Sequence, residues 1–485
     1  MINDEIIFQL RRELGFEPTG SQAAAMSTFA DFLTARSRRP AMILRGTAGS
    51  GKTSLAAAVV RAMTAMKRRV VLLAPTGRAA KVFALSSGHA ARTIHRRIYR
   101  EQSYQGLDGN FNLANNLWPG ALFIVDEASM ISNEGREGST FGSGRLLDDL
   151  ISFVYSAQDC RLLLIGDSAQ LPPVGETESP ALSADVLTAY GLQVFEADLN
   201  EVVRQAAGSG ILHNASVIRS MIDNGDNGVT PRFHLGGYSD IRRVTGDELI
   251  EQLASSYAET GTDGTIVITR SNKRANIYNQ GIRGRVLDRE EALSRGDMVM
   301  IVKNNYFWTD EERRQCKANG SDASLVPPFL ANGDRAEVRF LRNSRELYGF
   351  HFADATLAFP DYDGYEMETT VLLDTLTSEA PALTREQQER LFQGVMADYS
   401  DLPRKADRMG ALRADAYFNA LQIKYAYAVT CHKAQGGQWQ DVYIDQGYIT
   451  QDMMGADYYR WLYTALTRSE SRVFLVNWPV QAVEE

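Results

Sequence analysis

The chain has 485 residues, 44% of them hydrophobic and 23% charged, with a formal net charge of −9. That is material for about two to four soluble domains with a sizeable core, and no apolar run approaches the roughly 20 residues of a membrane-spanning helix. The three cysteines, Cys160, Cys316 and Cys431, are far apart and odd in number, which argues against a disulfide framework or zinc site and fits a reducing compartment.

A net negative charge speaks against a nucleic-acid partner, but its distribution does not. Between Arg36 and Arg100 there are 15 Lys or Arg and no Asp or Glu, while the rest of the chain carries 36 basic and 60 acidic residues. Such segregation puts a positive face on an acidic body, and the local field is what a polyanion meets. The N-terminus, Met1-Ile2-Asn3-Asp4-Glu5, is acidic and has no signal-peptide pattern, so a soluble cytoplasmic protein is expected.

In chain order, the first strand is the apolar run Ala41–Leu44. It leads into Gly46-Thr47-Ala48-Gly49-Ser50-Gly51-Lys52-Thr53 and then the helix-forming Ser54–Val60. A phosphate chain needs this strand–loop–helix arrangement. Glycines let the backbone curl so that several N–H groups converge, and the helix adds its positive end. Lys52 reaches the β- and γ-phosphates, and the Thr53 hydroxyl is a Mg²⁺ ligand. The chain is therefore expected to bind a nucleoside triphosphate.

Further strands are expected at Val70–Ala74, Leu122–Val125, Arg161–Ile165 and Gln193–Glu196, separated by helices. This βα alternation implies a parallel sheet covered on both faces. Between Arg96 and Gly120 the pattern breaks: Tyr99, Tyr104, Phe111 and Trp118 flank the turn Gly106-Leu107-Asp108-Gly109, as in a short projecting β-hairpin. The strand Leu122–Val125 ends in Asp126-Glu127, where Asp126 is placed to hold Mg²⁺ through water and Glu127 to polarise an attacking water. The strand Arg161–Ile165 ends in Gly166-Asp167-Ser168-Ala169-Gln170, where Gln170 can sense the γ-phosphate or position water, while Gly-Asp-Ser reads equally as a polar turn.

A second parallel run is expected from Thr265–Thr269 and Asp297–Val302. From Ala336 to Thr377 the sequence instead alternates apolar and polar residues, as in a small antiparallel barrel. Thr384-Arg385-Glu386-Gln387 opens a charged helix with a capping-box pattern. Parallel-sheet character returns with Leu421–Val429, Asp441–Asp445 and Arg472–Val476.

Taken together, these segments resemble the superfamily 1 helicases. Asp126-Glu127-Ala128-Ser129-Met130 and Gly166-Asp167-Ser168-Ala169-Gln170-Leu171-Pro172-Pro173-Val174 are similar to motifs II and III. Ala74–Lys81 and Thr93–Arg96 are similar to motif Ia and the element after it, Leu199–Gln205 to motif IV, Ala428–Gly436 to motif V and Tyr463–Arg468 to motif VI. Thr430-Cys431-His432-Lys433-Ala434-Gln435-Gly436 and the early Thr93-Ile94-His95 resemble the RecD-like, phage Dda-like branch, superfamily 1B.

The resemblance implies an α/β fold of two RecA-like P-loop cores, parallel sheets with helices on both faces. The first core would occupy 1–95 and 120–198, with a pin or wedge hairpin at 96–119. The second would occupy 199–335 and 420–485, with an SH3-like barrel and helical extension inserted at 336–419. It implies ATP and Mg²⁺ as cofactors. Gln22 would read adenine, and Gly436 would lie with the P-loop residues around the nucleotide. Lys52, Glu127 and Gln170 would act at the phosphates, with Arg204 and Arg468 as arginine fingers. Pro75, Thr76, Arg78, His95, Thr430, His432 and Lys433 would touch DNA, His95 reading equally as a structural residue. Phe111 or Tyr104 would stack on the first base pair, or else form the hairpin's own small core. Cys431 and His432 are not a nucleophile–base pair, since adjacent strand residues face opposite ways.

The function implied is ATP-dependent DNA unwinding with 5′→3′ movement on a single strand, in a bacterial or phage-infected cell. Single strands and fork junctions are the expected partners, with single-strand-binding, replication or repair proteins as further ones. The alternatives are a translocase that remodels protein–DNA complexes with little unwinding, and a P-loop protein whose ATP site gates partner binding. DNA and RNA both remain open as the track.

Overall fold

The computed structural model describes residues 2–105, 108–135, 141–201, 208–327 and 329–484, with backbone only for 101–105, 108–111 and 324. The first eight strands are β1 (Pro40–Gly46), β2 (Val70–Ala74), β3 (Ala91–Thr93), β4 (Tyr99–Gln105), β5 (Asp108–Leu113), β6 (Leu122–Val125), β7 (Arg161–Gly166) and β8 (Gln193–Leu199). Six of them form one parallel sheet in the order β3-β2-β6-β7-β1-β8. The five strands expected from the sequence are all there, and the three-residue β3 extends one edge.

Alternation along each strand sorts the side chains onto two faces. Met42, Leu44, Leu72, Ile124, Leu163 and Ile165 pack on one side with the helix Lys52–Ala65. Ala41, Ile43, Leu73, Phe123, Val125, Leu162 and Leu164 pack on the other with the helix Leu146–Val154. Burial on both faces explains why these strands read as continuous apolar runs. The strands β4 and β5 pair as the expected antiparallel hairpin, rooted by Tyr99, whose hydroxyl donates to Asp149 Oδ2 at 2.6 Å.

The remaining strands are β9 (Phe233–His234), β10 (Ile241–Val244), β11 (Thr265–Thr269), β12 (Met298–Ile301), β13 (Arg335–Leu347), β14 (Phe350–Phe359), β15 (Tyr365–Leu372), β16 (Leu421–Tyr425), β17 (Ala428–Thr430), β18 (Trp439–Asp445), β19 (Ser469–Val476) and β20 (Val483–Glu484). A second parallel sheet runs β10-β19-β18-β11-β17, and β12 to β16 close into a five-stranded barrel. The helix Arg385–Asp398 starts with the expected capping box of Thr384 and Gln387.

The barrel draws strands from outside the alternating stretch. Met298–Ile301 was expected in the second parallel sheet, but it pairs antiparallel with β13 and β16; Leu421–Tyr425 likewise belongs to the barrel. All four residues of β12 are buried, so it carries the same unbroken apolar signature as a parallel strand. The chain passes from barrel to sheet at Ala426-Tyr427. There Asn279 Oδ1 accepts from Tyr427 N at 3.1 Å and Ala428 N at 2.8 Å. The buried Asp297 receives Arg283, Arg289, the Tyr427 hydroxyl and Ser294 N within 3.2 Å. Barrel and second sheet thus share one apolar core.

Candidate nucleotide site and nucleic-acid interface

The strands β1 and β6 lie on either side of β7, so the loop after β1 and the acid pair after β6 open at the same sheet edge. Gly46 has to be glycine: a Cβ there would lie 2.7 Å from Ser50 Oγ and 2.8 Å from Lys52 Cγ. Gly49 and Gly51 take φ of 74° and 81°, the left-handed region that turns their N–H groups inward. Lys52 folds back onto the loop, donating to Gly46 O at 2.6 Å and Thr47 O at 2.9 Å. Thr53 is exposed in the first turn of the helix Lys52–Ala65. Thr47 Oγ1 and Gln170 Oε1 are buried and have no hydrogen-bond partner among the described residues. Converging N–H groups, a lysine, an open hydroxyl and orphaned polar atoms are a donor set that fits a triphosphate.

Asp126 Oδ1 accepts from Glu127 N at 2.9 Å. Burial, and then the Glu127 charge beside it, push the Asp126 carboxyl up to about 7; Lys52 opposes this. A divalent cation would relieve both effects, so Asp126 and Thr53 fit Mg²⁺ as protein ligands beside phosphate oxygens. Glu127 sits at φ 52°, ψ 39°, a left-handed conformation uncommon outside glycine.

The second core closes over this edge. Arg468, 3% exposed, brings Nη1 to 3.8 Å from Glu127 Oε1 and also donates to Gly437 O at 3.3 Å. Thr464 Oγ1 accepts from Leu171 N at 2.8 Å, and Gln435 Nε2 donates to Leu171 O at 2.6 Å. Asp167, fully buried, accepts from Tyr463 at 2.6 Å and Arg219 at 2.7 Å, with Lys52 at 3.9 Å. Asp167 and Tyr463 stand within the segments similar to motifs III and VI, where the motif pattern alone assigns them no role. Arg219 carries no local signal, being one arginine on the helix Gly210–Asn224. Arg204 lies outside the described residues.

Gln22 is buried with its amide engaged at both ends, accepting from Thr19 N and donating to Ser50 O, each at 3.1 Å. It fastens the phosphate loop to the helix Gly20–Thr34. Gly436, expected beside the nucleotide, takes φ of 72° and packs against the start of the helix Gly77–Ser87. A Cβ there would meet Thr76 Oγ1 at 2.9 Å and Ala79 Cβ at 3.1 Å, so it is the point where motif V closely approaches motif Ia.

Several of the residues expected on DNA come together. Pro75, Thr76 and His95 line one open cleft of about 380 Å³ with Phe141, Asn304, Phe329 and Asn332. Thr76 also caps the helix Gly77–Ser87 by accepting from Ala79 N at 3.2 Å. His95 packs against the rings of Phe141 and Tyr99 at 5.1 and 5.7 Å, and burial lowers its pKa to about 4, which makes it a neutral group. Across the Thr76–Gly436 contact, Thr430, His432 and Lys433 occupy the end of β17 and the short helix Cys431–Ala434. Burial lowers the pKa of both His432 and Lys433. It pushes Cys431 up to about 12, so that thiol is inert.

Arg78, expected on DNA, makes a contact between the cores. Its guanidinium donates to Gln438 O and lies 4.2 Å from the centre of the Trp439 ring, so it joins the two cores instead of facing the cleft. Trp439 opens β18 just after motif V, so this contact is made between segments far apart in the chain. Phe111 lies in β5, but its side chain, like that of Tyr104, is outside the described ones.

Comparison with known proteins bears on the same segments. Residues 19–227 match the model of an AAA domain, and residues 425–476 match that of the UvrD-like helicase C-terminal domain. The ATP-dependent RecD2 DNA helicase of Deinococcus radiodurans is 33% identical over 66% of this chain, which spans 40% of that protein. Protein R530 of Acanthamoeba polyphaga mimivirus is 22% identical over 89% of this chain and 94% of its own length. Among solved structures, the Bacteroides Pif1 helicase in complex with ADP-AlF3 and ssDNA aligns over 97% of this chain and 95% of its own. Its identity of 16% and TM-score of 0.46 add no weight to the assignment.

Proposed function

Because this chain belongs to the superfamily 1B helicases of RecD-like type, we propose that it is an ATP-dependent DNA helicase. It moves 5′→3′ along a single strand and separates the duplex ahead. The observation that carries this reading is Arg468 at 3.8 Å from Glu127, a second-core arginine facing the acid pair of the first core. The matched relative is named a DNA helicase, and this chain spans under half of it, so the reading rests on the site itself.

In this reading the loop N–H groups of residues 46–53 and Lys52 hold the phosphates, and Gln22 keeps the loop in register. Mg²⁺, held by Thr53 and Asp126 when bound, neutralises charge on the phosphate oxygens. Glu127 polarises the attacking water, Gln170 senses the γ-phosphate, and Arg468 with Arg204 meets the charge that develops there. Thr464 and Gln435 bond the backbone of Leu171, so movement at motif III is passed directly to motifs V and VI. Those motifs carry Thr430, His432 and Lys433, whereas Pro75, Thr76 and His95 stay with the first core. Short hydroxyl and amide donors suit phosphates that are gripped and released in turn. The hairpin of residues 96–119 stands as the pin, and Arg78 is a latch between cores.

The test is steady-state ATP hydrolysis with and without single-stranded DNA, with Lys52→Ala as control. DNA-stimulated turnover that Lys52→Ala abolishes supports the reading. Turnover indifferent to DNA supports an ATP site that gates partner binding instead.

A further inference from the structure

The phosphate loop is occupied by the second core. The N–H of Ala48, third residue of the loop, donates to the Tyr463 hydroxyl at 2.9 Å, and that hydroxyl donates to Asp167 Oδ2 at 2.6 Å. Tyr463 is 1% exposed on the helix Ala456–Leu466, and Asp167 is wholly buried, so the geometry admits little slack. Asp167 Oδ1 accepts from Arg219 at 2.7 Å and from Ala169 N at 3.1 Å. Arg219 is itself steadied by Asp223, at 3.5 Å one helical turn away. Two of these three partners of Asp167 and Ala48, Tyr463 and Arg219, belong to the second core. The lysine that should meet phosphate instead bonds Gly46 O and Thr47 O.

Backbone N–H groups of a P-loop are the donors a triphosphate recruits. A hydroxyl already on one of them competes with the nucleotide, and its removal leaves a donor free to meet phosphate. We propose that Tyr463, aligned by Asp167 and Arg219, is a positioning residue. It holds Ala48 N–H and yields it to phosphate when the second core shifts, which makes the placement of that core part of the affinity for ATP. This rests on the helicase reading above. It adds residues from motifs III and VI, together with Arg219, to the machinery that ties nucleotide binding to core movement.

Tyr463→Phe removes the hydroxyl and keeps the ring. The experiment measures affinity for a fluorescent ATP analogue without DNA, and ATP turnover with and without single-stranded DNA, for wild type and variant. One competing hydrogen bond corresponds to about a threefold to tenfold change in affinity. The expected result is tighter binding of that size without DNA and a smaller DNA stimulation of turnover, because the second core no longer controls the loop. A purely structural tyrosine would weaken binding or leave it alone. Affinity within twofold of wild type, or weaker, overturns the proposal. Arg219→Gln, on a half-buried side chain, should move affinity in the same direction, and it serves if Tyr463→Phe does not fold. Wild-type protein that binds no ATP would refute the helicase reading itself; active wild type with an unchanged Tyr463→Phe refutes this inference alone.

Discussion

Arg468 Nη1 and Glu127 Oε1 stand 3.8 Å apart across the boundary between the two cores, with Arg468 almost fully buried. The guanidinium is held by Thr464 O, Gly437 O and Thr467 Oγ1 at 3.2–3.3 Å while the Glu127 carboxylate stays beyond direct hydrogen-bond reach, an arrangement that keeps the positive charge available to an incoming anion. Arg468→Ala should therefore bind ATP near wild-type affinity while turnover falls by roughly 10³–10⁵, the range for loss of an arginine finger. Single-turnover hydrolysis beside equilibrium nucleotide binding separates the two, and wild-type turnover would remove the finger role.

Asp297 ties the barrel to the second sheet through Arg283, Arg289 and Tyr427. Asp297→Ala would leave the buried Arg283 without its counter-charge, a change that costs about 3–5 kcal/mol. Chemical denaturation should show a loss of that size, and a loss below about 1 kcal/mol would mean that the network is dispensable.

The neutral His95 makes stability depend on pH. Its folded pKa is lowered from 6.5 to about 4 by burial, so between those values the unfolded chain binds a proton that the folded chain refuses. The contribution is intact above about pH 6.5 and is lost as pH falls toward 4, by about 1–3 kcal/mol with the ring half-buried. His95→Gln should flatten this part of the stability–pH curve. An unchanged slope between pH 6.5 and 4.5 would contradict the buried neutral assignment.

The segment Arg36–Arg100 carries no acidic residue, and the overall charge is −9. DNA affinity should nevertheless fall steeply with salt, the logarithmic slope being about −0.7 per phosphate neutralised on a single strand. Fluorescence anisotropy across a salt series checks it, and an affinity flat in salt would refute a phosphate-tracking surface.

The nucleotide edge was legible because it is local: strand, glycine loop, lysine and helix are contiguous, and Asp126-Glu127 follows a wholly apolar strand. The parallel strands of the first core were readable for the same reason, being unbroken apolar runs bounded by turns. Met298–Ile301 looked identical to them, and what makes it a barrel strand is pairing with Arg335–Leu347 and Leu421–Tyr425, far along the chain. Arg78 was assigned to DNA from its motif, but its cross-core partner Trp439 lies 361 positions away, a contact that no local pattern reveals. Arg219 sits four residues before Asp223, the ordinary look of a surface ion pair, and only the folded chain shows its reach to Asp167.

Strand separation on two partial duplexes, one with a 5′ tail and one with a 3′ tail, tests the central claim most directly, with Lys52→Ala as the control. ATP-dependent unwinding from the 5′-tailed substrate alone is the result this account requires. Unwinding from the 3′ tail would overturn the direction of movement. Activity on neither substrate, with ATP hydrolysis still stimulated by single strands, would contradict the helicase and leave a translocase that remodels protein–DNA complexes.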